Sequence, residues 1–68
     1  MIDLVTLKRL IKIRGFTFVF VAKSLGITRE ALYKKLCGKT EFRLSEVRAL
    51  ADLLHLSQRD IMKIFFAK

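Results

Sequence analysis

The residues best equipped for specific chemistry lie in one short stretch, where Thr28, Arg29, Glu30, Tyr33 and Lys34 fall at helical spacing. On a helix, Arg29 pairs with Tyr33 and Glu30 with Lys34 one turn apart, so the four share an outward side. A guanidinium fork, a carboxylate, a phenol and an ammonium together match an edge that presents both donors and acceptors. Arg29 fits the O6 and N7 of guanine, Glu30 can accept from cytosine N4, and Tyr33 can reach a thymine methyl or a phosphate. Each also has a plainer reading. Arg29 can be a solvated surface residue, Glu30 a first-turn carboxylate favoured by the helix dipole, and Tyr33 a ring resting on Lys39 or on the next helix.

A second set of cations, Lys34, Lys35, Lys39 and Arg43, gathers with Thr40 around the end of that helix and the segment after it. Ammonium and guanidinium groups there suit sugar-phosphate contacts, which position a protein without reading sequence. Arg14 and Lys23 are weaker candidates for flanking phosphates. Catalytic and metal chemistry is not expected. The single Cys37 and single His55 stand in no catalytic motif and cannot assemble a four-ligand zinc site, and one cysteine forms no internal disulfide. Neither a cofactor nor a catalytic residue is assigned.

Composition narrows the partner. The chain has 68 residues, 14 Lys+Arg against 6 Asp+Glu for a formal charge of +8, and 53% hydrophobic residues. That length allows one domain, residues 1–68, with a modest core but no room for a deep substrate cleft as well. The apolar fraction is too high for a disordered basic tail, so the charge must coat a folded body and favour a polyanionic partner. The longest apolar run, Phe18 to Ala22, is far below the roughly 20 residues a spanning helix needs. Neither a secretion signal nor a membrane anchor is expected, and a reducing cytosol suits the lone cysteine.

The elements that must position these groups are short helices. Proline is absent, and Gly15, Gly26 and Gly38 read as helix stops. A first helix runs from about Asp3 to Arg14, with Leu4, Leu7, Leu10 and Ile11 at core spacing. Thr17 caps a second that places Phe18, Val21, Ala22 and Leu25 on one face before Gly26. Thr28 caps a third, Arg29 to Leu36, with Ala31, Leu32, Lys35 and Leu36 inward. Leu44 to Leu54 forms a fourth with Val47, Leu50, Ala51 and Leu54 on a stripe, stopped at His55. Ser57 and Asp60 resemble a capping box for a fifth, Ile61 to Ala67. The expected fold is therefore all-α, a five-helix bundle.

The second and third helices, joined by a turn at Gly26, have the shape of a helix-turn-helix, whose second helix enters the major groove. The string VAKSLGITREALYKKLCGKTEF resembles the lambda-repressor-like helix-turn-helix family, the phage Cro and repressor group. Small Ala22, Leu25-Gly26-Ile27, Thr28-Arg29, Leu32 and Gly38-Lys39 fall where that family has them. Leu50-Ala51-Asp52-Leu53-Leu54 and Leu56-Ser57 resemble its fourth helix and the start of its fifth. The resemblance implies sequence-specific binding of double-stranded DNA by a transcriptional regulator in a bacterial or phage-infected cell. Base contacts are expected from Thr28, Arg29, Glu30, Tyr33 and Lys34, and phosphate contacts from Thr17, Phe18, Lys35, Lys39, Thr40 and Arg43.

The family pattern is broken in three ways. Phe18 stands where members often carry Gln, leaving only backbone N–H groups to meet a phosphate there. Cys37 replaces an Asn, and the usual Arg/Glu pair between the first and third helices becomes Ile11 and Leu36. Two apolar clusters also need cover: Val19 with Phe20, and the residues Ile61, Ile64, Phe65 and Phe66. The second cluster is expected to supply homodimer contacts through Phe65 and Phe66, or else to close the monomer core. Val19 and Phe20 suggest a protein partner, and with it an alternative function as an antirepressor-like or self-assembling interaction module. A membrane-surface peptide is the weakest alternative, because the helices do not share one continuous amphipathic face.

Overall fold

Each helix boundary is set by local hydrogen bonding that the sequence supplies. The computed structural model describes residues 2–66 as α1 (Leu4–Ile13), α2 (Phe18–Leu25), α3 (Arg29–Leu36), α4 (Leu44–Leu53) and α5 (Gln58–Phe65). At the starts, Asp3 accepts from Thr6 N, Thr17 from Phe20 N, Thr28 from Ala31 N and Ser57 from Asp60 N. Such caps are worth about 1 kcal/mol each. The Ser57–Asp60 capping box forms in both directions. It also corrects the expected start of the fifth helix. A capping box places its acid inside the first turn, so α5 begins at Gln58 rather than Ile61, and its expected end at Ala67 lies outside the described residues.

Four of the helices end in the same way. At Gly15, Gly26 and Gly38 the chain turns left-handed, with φ of 76°, 73° and 81°. The next N–H then reaches back to a carbonyl five residues earlier, as in Ile27 N to Ala22 O at 3.0 Å and Lys39 N to Lys34 O at 2.9 Å. At the end of α4 His55 takes the glycine role, with φ of 53°, and Leu56 N closes the turn on Ala51 O. The expected stop at His55 is therefore a backbone event. Its imidazole is exposed.

The core gathers one stripe from each helix: Leu7 and Ile11, Val21 and Ala22, Leu32 and Leu36, Leu50 and Leu54, Ile64 and Phe65. Ile11 and Leu36 are fully buried within it, an apolar solution at the positions where the resembling family pairs charges. α2 packs on α3 and α4, and α1 packs on α5, with Asp3 N donating to Ile64 O across that second junction. A radius of gyration of 10.8 Å matches the roughly 11 Å expected for one core in a chain this long. The fold is all-α, and the described residues contain no helix long and apolar enough to cross a membrane.

Candidate nucleic-acid interface

The site is built by the tight turn between α2 and α3. Gly26 lets the chain turn within the three residues between α2 and α3, and Ala22, almost fully buried, leaves room for α3 to lie across α2. This crossing sets the outer face of α3 beside the first turn of α2. Between them runs an open groove of about 600 Å³, lined by Thr17, Phe18 and Val19 from one side and Arg29, Glu30, Tyr33, Lys34 and Lys39 from the other. Seven of the residues assigned from sequence to DNA contact meet there. Val19, assigned from sequence to a protein partner, is the eighth.

Three cations, Arg29, Lys34 and Lys39, and one carboxylate, Glu30, line the groove. Among the described residues the one ion pair is Lys35 with Glu46, so Arg29, Lys34 and Lys39 face outward without a carboxylate partner. Two positive ends of helices add to them. The first N–H groups of α2 and α3 have no intrahelical acceptor, and each helix start carries a partial positive charge. Thr17 and Thr28 spend their oxygens as acceptors for Phe20 N and Ala31 N, both at 3.1 Å, yet each hydroxyl keeps its own proton to donate. Tyr33 is well exposed. The Cys37 side chain one turn further on, by hydrogen bonding and by charge, raises the phenol above its ordinary value.

Four expected residues lie elsewhere: Thr28, exposed at the N-cap of α3, does not line the groove, and three others stand apart from it. Thr40 and Arg43 are exposed in the segment between α3 and α4 but do not line the groove. Lys35 requires a correction. Its ammonium turns inward, 3.2 Å from Glu46 Oε1 and donating to Glu41 O at 2.9 Å, with the Phe42 ring beneath it at 6.0 Å. Only 11% of its side chain is exposed. Lys35 therefore ties α3 to α4 and is withdrawn from the outward set of cations.

Glu46 is the anchor that sequence reasoning missed. It is buried, and its Oε1 also accepts from Arg43 N at 2.8 Å. Burial works to raise its pKa, but the Arg43 N–H and the Lys35 ammonium prevail and hold its carboxyl below the ordinary value. Its signal in the sequence was a Glu at the third position of a helix. Arg43 in the cap position concealed it, because an arginine side chain cannot accept the reciprocal bond of a capping box.

The apolar residues expected at interfaces divide. Phe65 is buried against the core, edge-on to Phe42 at a centroid distance of 6.2 Å, which corrects its assignment to a dimer contact. Phe66 is exposed over a shallow hollow of about 280 Å³ bounded by Leu44, Val47, Arg48 and Ile61. Val19 and Phe20 are both exposed but point in different directions. Val19 enters the groove, whereas Phe20 leans on Phe16 with ring centroids 5.1 Å apart.

The family model of the Cro/C1-type HTH DNA-binding domain matches residues 6–66. The chain belongs to this family, and it is a DNA-binding helix-turn-helix domain. No curated protein and no solved structure matches it.

Proposed function

We propose that residues 1–68 act as a single sequence-specific binder of duplex DNA and a transcriptional regulator of the Cro or repressor kind, reading the major groove with α3. The observation that carries this reading is the shared groove: Arg29, Glu30, Tyr33 and Lys34 stand together on the outer face of α3, beside the N-terminus of α2. Arg29 binds guanine O6 and N7, Glu30 accepts from cytosine N4, and Thr28, Tyr33 and Lys34 complete the base contacts. The backbone N–H groups at Phe18, the Thr17 hydroxyl, Lys39, Thr40 and Arg43 hold phosphates on either side. Regulation follows from occupancy of the site, with no bond made or broken, in the cytoplasm of a bacterial or phage-infected cell.

A homodimer suits this role, because paired half-sites lie about 34–36 Å apart on one face of the duplex. Phe66 and the apolar hollow beside it are the surface for that contact. The test is selection from a randomised duplex pool at about 150 mM salt, where purely electrostatic binding is already weakened. Enrichment of an inverted repeat supports the reading, and retention without any preferred sequence sinks it. A second reading, a protein-interaction module, is favoured by the exposed Phe20, whose ring leans on the half-buried Phe16. It predicts that Phe20→Ser abolishes function while leaving DNA binding intact.

A further inference from the structure

We infer that Val19 is a specificity-determining residue, and that it reads the 5-methyl group of a pyrimidine in the major groove. The inference rests on the proposed reading of DNA by α3 and names one more feature of the sequence that is read. Its starting point is an apolar side chain in an unexpected place. Val19 is 55% exposed, stands at the start of α2, and faces the groove that also holds Arg29, Tyr33 and Lys34.

The surroundings decide what such a side chain can meet. Phe18 and Val19 from α2 and the Tyr33 ring from α3 give the groove apolar surface, while Arg29, Lys34 and Lys39 place cations around it. A phosphate brought close to this surface is held by the cations and by the α2 N–H groups, not by an isopropyl group. Against charged phosphate oxygens an isopropyl group finds no apolar partner, and it desolvates the anion at a cost. The pyrimidine 5-methyl is the apolar group that a major-groove edge offers. Val19 also differs from its neighbours in being unneeded by the core: Val21 is fully buried, whereas Val19 contributes little to packing.

One ligand chemistry has two sources here, thymine and 5-methylcytosine. The experiment separates them. Each thymine in the duplex found by selection is replaced in turn by uracil, which removes the methyl and leaves base pairing and the O4 acceptor unchanged. Each cytosine is likewise replaced by 5-methylcytosine. Binding of the wild-type chain and of Val19→Ala is then measured at fixed salt. Loss of one methyl from an apolar contact corresponds to about a fourfold loss of affinity.

The expected result is such a loss at one thymine per half-site in the wild type, with Val19→Ala binding thymine and uracil equally there. A fourfold gain at a methylated cytosine, again absent in Val19→Ala, supports the same inference with modified cytosine as the source. Discrimination that survives in Val19→Ala assigns the methyl to another side chain and overturns it. Indifference to every methyl in a duplex that still shows the guanine preference lost in Arg29→Ala also overturns it, while leaving the reading of DNA by α3 in place. A chain with no sequence preference at all fails at the earlier step and takes both down. Because Val19 lies outside the core, Val19→Ala is expected to keep the wild-type circular dichroism and melting temperature.

Discussion

Lys34 and Lys35 are neighbours in sequence with the same chemistry, and the two faces of α3 put them to opposite uses. On the outer face Lys34 joins Arg29, Glu30 and Tyr33 in an open groove. On the inner face Lys35 is folded over Phe42 and bound to Glu46 between the fully buried Leu32 and Leu36. Residue type therefore fixes what a side chain can do, but a rotation of about 100° along the helix decides what it does. The outer face is free to be chemically specific because the inner face alone holds α3 in place. Substitutions on the inner face should cost stability, and those on the outer face should cost only recognition.

The largest effect is expected on the inner face. Leu36→Ala removes a side chain that is 1% exposed and leaves a cavity in the core beneath α3, at a cost of about 2–5 kcal/mol. A domain this small has little more stability than that in total, so the variant should be largely unfolded at 37 °C or close to it. Urea denaturation measures this directly, and a loss under ~1 kcal/mol would mean that α3 is less firmly seated than its burial implies.

Arg29→Ala is the matching test of the outer face. Its melting temperature should be unchanged, because the side chain is exposed and takes part in no ion pair among the described residues. Discrimination for the preferred guanine should fall by about 1–3 kcal/mol, compressing the difference between good and poor sites. Competition binding with single base changes reports the loss. If affinity drops equally for all duplexes, Arg29 is a phosphate contact and the outer face reads sequence through its other residues.

Much of this contrast was legible in the sequence. The inward set Ala31, Leu32, Lys35 and Leu36 and the outward set Arg29, Glu30, Tyr33 and Lys34 follow from helical period alone, and the caps at Thr17, Thr28 and Ser57 and the stops at the glycines mark where each period starts and ends. What periodicity withheld was pairing between helices. Lys35 was read as inward and still expected at a phosphate, since nothing local announces that Glu46, eleven positions later, waits for it. Phe65 and Phe66 posed the same difficulty: adjacent aromatics at the end of a helix, of which tertiary packing takes one into the core and leaves the other outside. Val19 was legible as an exposed apolar residue, but its position in the groove depends on how α2 crosses α3.

A smaller effect is expected at the anchor of the inner face. In Glu46→Gln the amide oxygen can still accept from Arg43 N, while the charge opposite Lys35 is lost, for about 1–2 kcal/mol at neutral pH. The sign of the pH dependence follows from its lowered pKa. The stabilisation is fully present above the ordinary carboxylate value of 4.5 and is lost as pH falls through the lower folded value. Asp3 is also lowered, by its bonds to Thr6, and so contributes a pH dependence of the same sign. The measurement that isolates Glu46 is therefore the difference in stability between wild type and Glu46→Gln, followed from pH 7 downward through the acid range. That difference should shrink towards zero in acid. A constant difference would place the cost in packing rather than in charge.

The smallest effect distinguishes the two lysines themselves. If Lys34 or Lys39 meets a phosphate, its replacement by alanine should weaken all duplexes alike and reduce the slope of log K against log salt by about 0.9. Lys35→Ala should leave that slope unchanged, because its charge is already neutralised by Glu46 at 3.2 Å, and should instead lower the melting temperature. The comparison is sharper than either variant alone. The two substitutions remove the same charge from adjacent positions, so a difference in salt slope between them measures the helix face and not the net charge of the protein. Equal slopes would mean that binding senses only total charge, and the outer face of α3 would lose its claim to a defined register on the duplex.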